Sequence, residues 1–126
     1  MQDFRKLKVW NKAHQLTLLV YSVTKGFPRE ELYGLTSQVR RCAASIPSNI
    51  AEGCGRGVRE FQNYLRIAMG SANELDYQIL LAKDLSYLKE EDYLIASSRI
   101  TEVRKMLSSL MKAIMRSQQE KKTTAN

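Results

Sequence analysis

Residues 45–57 read SIPSNIAEGCGRG and hold three of the chain's six glycines and one of its two prolines. Gly53, Gly55 and Gly57 have GxGxG spacing. A phosphate loop of that kind needs a strand before it, and then a Lys-Ser/Thr pair or the full GxGxxG context. Here the preceding residues repeat with helical period, so the glycines read as the end of one helix and the turn into the next. Their backbone N–H groups, beside Arg56 and Arg59, could still face an anion. Just upstream, Arg41, Ser45, Ser48 and Glu52 step by 4, 3 and 4, which sets them in one polar stripe beside an apolar face, with Asn49 next to Ile46 and Ile50. Ser48 is expected to bond the carbonyl that Pro47 leaves without a donor. Two readings of the stripe stay open. It docks a kinked, small-residue helix inside the chain, or it forms a subunit interface.

Residue types suited to catalysis are sparse. His14 is the single histidine, and alone on a helix it reads as structural or solvent-facing rather than as a general base. Neither HExxH nor the ExxH pair of a di-iron bundle occurs. Glu74 and Asp76 are two apart on a helix and so do not face each other. Cys42 and Cys54 lie twelve apart with no histidine pair nearby, which makes no zinc pattern. They fit small apolar residues in a reducing compartment. No catalytic residue, cofactor or metal is expected, and the protein is read as a non-enzyme.

Four periodic segments must position these side chains. The first, about residues 7–25, carries Trp10, Ala13, Leu16 or Thr17, Val20 and Val23 or Thr24 on one helix face, and Gly26 and Pro28 end it. PREELYG follows as a short helical turn. The second, about 35–53, steps through Leu35, Val39, Cys42, Ile46, Ile50 and Gly53 without interruption at Pro47. That favours a kinked helix over two helices with a loop between them. The third, about 59–86, holds a heptad seam of Phe61, Leu65, Ala68, Ala72, Leu75, Ile79 and Ala82. The fourth, about 90–116, matches it with Tyr93, Ala96, Ile100, Val103, Leu107, Leu110 and Ile114, and Glu90, Glu91 and Asp92 suit its positive end. Residues 117–126 read as a frayed polar tail. The expected fold is all-α: one domain, an antiparallel up-down-up-down four-helix bundle.

With 126 residues, 44% apolar and 26% charged, the chain can bury a core without disulfides or metal. No secretory signal or membrane-length apolar run is seen, so a cytoplasmic location is expected. The net charge of +7 is unevenly spread. Residues 1–25 carry five basic and one acidic side chain, 26–98 carry eight and ten, and 99–126 carry seven and two. In the expected topology the start of the first helix and the end of the last share one end of the bundle. Arg5, Lys6, Lys8 and Lys12 would then meet Lys112, Arg116, Lys121 and Lys122 in a single basic pole. Such a pole would attract a polyanion without reading its sequence.

Three stretches carry a resemblance: FRKLKVWNKAHQLTLLVYSVTKGFP, YGLTSQVRRCAASIPSNIAEGCGR and EFQNYLRIAMGSANELDYQILLAKDLSYL. From about Phe4 to Ile114 the chain resembles the bacterial four-helix-bundle family also called S23 or 23S rRNA-intervening-sequence proteins. LTSQVRR, SIPSNIAEG and GSANEL are its most specific parts. The resemblance implies an up-down bundle that assembles as a ring-like homopentamer. It also implies similarity in fold to accessory proteins of diversity-generating retroelements, which work with nucleic acid. It supplies no catalytic residue. Two functions are therefore expected as alternatives: an oligomer that binds structured RNA or DNA through its basic surface, or an oligomeric scaffold with a protein partner. No membrane partner is expected.

Overall fold

The computed structural model describes residues 3–125. It contains four helices: α1 (Lys8–Val23), α2 (Leu35–Cys54), α3 (Val58–Asp84) and α4 (Glu90–Ala125), and no strand among the described residues. Each helix packs on its chain neighbours, and α4 closes the ring against α1. This is the antiparallel bundle expected from the four periodic segments. The seams are the core. All seven predicted seam residues of α3 are buried, as are Leu35, Val39, Cys42, Ile46, Ile50 and Gly53 of α2. From α1 come Ala13, Leu16, Thr17 and Val20, and from α4 Ala96, Ile100, Val103 and Leu107.

Helix α2 runs through Pro47 without a break. Proline cannot donate to the carbonyl four residues back, which here belongs to Ala43. The donor comes from another helix: Thr17 Oγ1 on α1 lies 3.1 Å from Ala43 O and 2.9 Å from its own i−4 carbonyl, Ala13 O. Ser48 does not take this role. It is solvent-exposed on the outer face of α2, one residue past the buried proline. The expectation named the right vacancy and the wrong donor, because side-chain reach within one helix is visible in sequence and an interhelical approach is not.

The connections are short. Residues 55–57 join α2 to α3, with Gly55 as the C-cap of one and Gly57 as the N-cap of the other. Gly53 is required by packing. A Cβ there would stand 2.7 Å from Tyr64 Cβ and 3.0 Å from a Phe61 ring carbon. Helix α3 ends at Asp84 in a Schellman turn, in which Ser86 N–H donates to Lys83 O and Tyr87 N–H to Ala82 O, both at 2.9 Å. Ser86 occupies the left-handed position, with φ 65°. Between α1 and α2, Glu31 ties three elements together. Its carboxylate accepts from Leu35 N–H at the start of α2 and from the Tyr87 hydroxyl beyond α3, both at 3.1 Å.

One boundary departs from the sequence reading. The frayed tail expected over residues 117–126 is helical through Ala125, as a continuation of α4. Thr123 and Thr124 donate their hydroxyls to Gln119 O and Glu120 O, which supports the last turns. Residue 126 lies outside the described residues.

Candidate functional site

Two contacts fix the register at the lower end of the bundle. Lys12 Nζ lies 3.6 Å from Glu102 Oε2, joining α1 to α4. Gln62 Nε2 donates to Met111 O at 3.0 Å, joining the first turns of α3 to α4. From Lys12 toward the start of α1, and from Glu102 toward the end of α4, the chains run to the same end. Past Met111, α4 continues for about 21 Å, while α3 continues past Gln62 for only about 6 Å. The end of α4 therefore projects beyond its neighbours.

All eight predicted pole residues are exposed: Arg5, Lys6, Lys8, Lys12, Lys112, Arg116, Lys121 and Lys122. They are not equivalent. Arg5 sits 3.5 Å from Asp3, and Lys12 is paired with Glu102. Lys6, Lys8, Lys112, Arg116, Lys121 and Lys122 form no ion pair among the described residues. Near the start of α1, Phe4, Trp10 and His14 are in contact one after another. The Phe4 and Trp10 centroids are 4.9 Å apart edge-on, and Trp10 lies nearly parallel to His14 at 5.1 Å. The lone histidine is thus held against an aromatic face.

The polar stripe of α2 divides in two. Ser45 and Asn49 are half-buried and act inside the chain. Ser45 Oγ lies 2.8 Å from Ser71 Oγ on α3, while Asn49 Nδ2 donates to Ser45 O at 2.7 Å and to Ser45 Oγ at 3.0 Å. Arg41, Ser48 and Glu52 stay on the exposed side. Arg41 donates to Ser37 Oγ at 3.2 Å, and Glu52 pairs with Arg56, whose guanidinium lies over the Tyr64 ring. Arg56 is thereby engaged at the glycine turn.

The cysteines are buried thiols on α2. Cys42 Sγ donates to Ser71 O at 3.1 Å. Burial, with the Glu74 carboxylate nearby, pushes its pKa up to about 12. Cys54 is raised as well, first by burial. Both are protonated at neutral pH and poor nucleophiles. Among the described residues no group of three or more His, Cys, Asp or Glu side chains is placed to hold a metal ion. Among the described residues no helix is long and apolar enough to cross a membrane.

Sequence reasoning missed a second set of cations, apart from Arg41, which it placed in the polar stripe. Lys25, Arg29, Arg40 and Arg41 line two adjoining cavities at the α1–α2 end, of about 680 and 340 Å³. The linear tally gave residues 26–98 an acidic balance, and three of these four cations lie in that segment. The signal that could have found them was local: basic and aromatic residues alternate from Lys25 to Arg41 around the turn.

Helix order, seam packing and a protruding basic end define a small antiparallel four-helix-bundle protein. Residues 5–109 match the family described as 23S rRNA-intervening sequence protein, and the chain belongs to that family. A solved structure from Bacteroides thetaiotaomicron, described as a protein of unknown function from the S23 ribosomal protein family, is similar to it. The two share 28% identity at a TM-score of 0.76, over 82% of this chain and 95% of the other. No curated protein matches the chain significantly.

Proposed function

We propose that this protein is a non-enzymatic nucleic-acid-binding bundle that holds structured RNA or DNA at its basic pole. The observation that carries the reading is the projecting end of α4, which extends Arg116, Lys121 and Lys122 past the bundle, none of them ion-paired among the described residues. Lys6, Lys8 and Lys112 lie toward the same end of the bundle, with Lys8 about 22 Å short of Lys121 along the axis. Contacts of this kind neutralise phosphates and release counterions, so affinity depends steeply on salt and little on sequence. Self-assembly would add to the field: a homopentamer of +7 chains carries +35. The test is titration of a fluorescent structured RNA at low and physiological salt. Wild type is expected to bind with a steep salt slope, and Lys112→Glu combined with Arg116→Glu to lose binding while keeping its helical signal. Undiminished binding by the double variant would remove the pole from the mechanism.

A second reading, an oligomeric scaffold with a protein partner, is favoured by Gly70. This glycine sits mid-way along α3 on an exposed face, where an added Cβ would meet nothing within 4 Å. Packing within the chain gives no reason for it, while close approach of a neighbouring helix would. Ile67 and Tyr77 flank it and are 52% and 61% exposed.

A further inference from the structure

The two cavities at the α1–α2 end share Leu32, Thr36 and Arg40 and form one groove along the outer side of the helix pair. No carboxylate lines either of them. Glu31, close by in sequence, is turned to Leu35 N–H and the Tyr87 hydroxyl instead. Arg40 is held in place: Nε donates to Thr24 Oγ1 at 2.9 Å and its guanidinium lies 4.9 Å from the Tyr21 ring centroid. Arg41 is exposed and bonded only to a serine hydroxyl. Arg41 also shares an adjoining depression with Glu74, while Lys25, Arg29 and Arg40 form no ion pair among the described residues, and unpaired cations of this kind favour an anionic occupant.

Two further features narrow its chemistry. Tyr33, at the groove's mouth, is 95% exposed, and Tyr21 forms part of the wall. Exposed aromatic rings beside arginines are the platform on which unpaired bases stack, whereas a base inside a duplex presents only its edges. Within the groove, Thr36 is 4% exposed and its Oγ1 has no hydrogen-bond partner among the described residues.

We propose that this groove binds a single-stranded segment of nucleic acid, with phosphates at Arg40, Arg41 and Lys25 and a base stacked on Tyr33. It rests on the reading that the partner is nucleic acid. It adds a second site, at the opposite end of the bundle from the pole, that selects unpaired over paired strands.

The experiment compares a fluorescein-labelled oligouridylate with a blunt RNA duplex on four proteins: wild type, Tyr33→Ala, Arg41→Gln, and the Lys112→Glu/Arg116→Glu variant. Light scattering on each sample gives its mass. Tyr33→Ala and Arg41→Gln should each weaken oligouridylate binding about tenfold and leave the duplex unaffected. The pole variant should lose the duplex. Unchanged oligouridylate binding in both groove variants, with the duplex still lost from the pole variant, overturns the groove and leaves the pole standing. Binding of neither nucleic acid by wild type overturns both. A lower mass in Tyr33→Ala assigns the groove to contact with a second copy and overturns the strand reading. Free uridine monophosphate competing as well as the oligomer also overturns it, in favour of a nucleotide site.

Discussion

At Pro47 the bundle depends on one hydroxyl. The Ala43 carbonyl is buried in α2 without its usual donor, and Thr17 reaches it from α1. Thr17→Val keeps the shape and removes the donor, so it should lower stability by about 1–3 kcal/mol. Urea unfolding of Thr17→Val beside Thr17→Ser checks this, since serine keeps the hydroxyl. Equal midpoints for valine and wild type would mean that the carbonyl is satisfied some other way. Cys42 gives a residue-level prediction in pH. Its usual value is 9.0 and in the fold it is about 12. Between those values the unfolded chain has released the thiol proton and the folded chain has kept it, so stability falls as pH rises through the window. Below pH 9 both states hold the proton and the term vanishes. Cys42→Ala should therefore flatten the alkaline limb of stability measured from about pH 8 to pH 11. A limb of unchanged slope would assign the alkaline loss to other groups. Sequence displayed Pro47 and its orphaned carbonyl, yet it could not display Thr17 as partner, because the two are joined by packing and not by spacing.

Elements with a buried seam were legible, and the one stretch without a seam was not. The starts and ends of α1, α2 and α3 lie within about two residues of the sequence reading. Each of those ends has a local signal: glycines after α2, the Gly26 turn after α1, and polar residues after Leu85. Past Ile114, α4 has no apolar period, and pattern reading has nothing to follow there. The helix continues because it is propagated from a packed segment and pays no nucleation cost. Lys121 and Lys122 also suit its negative end. This segment packs on little, so ending the chain after Ser117 should change unfolding free energy by less than about 1 kcal/mol. The same truncation removes two cations from the pole and should make the logarithmic salt slope of RNA binding shallower by about 2. A slope identical to wild type would place the phosphate contacts nearer Lys8 and Lys112. A large loss of stability would show that the projecting helix is packed in solution, against a second copy.

For the whole molecule, chain topology converts a linear charge list into a surface, and the conversion is only partly foreseeable. The shared end of α1 and α4 followed from counting four helices. The groove did not, because three of its four cations sit in a segment where acidic residues outnumber basic ones. Assembly is the remaining question at this scale, and Gly70 addresses it. Inside a helix, glycine costs about 1 kcal/mol relative to alanine. Gly70→Ala should thus stabilise the chain by about that amount in chemical denaturation, since the added methyl meets open space. Gly70→Trp should fold equally well as a single chain and block a close helix–helix approach. If α3 is a subunit contact, light scattering should report an oligomer for wild type and a smaller mass for Gly70→Trp, with the helical signal retained. Equal masses above the 14.5 kDa of one chain would put the contact on another face. A wild type of that single-chain mass at every concentration tested would end the scaffold reading, and the pole would then have to work with the +7 of a single chain.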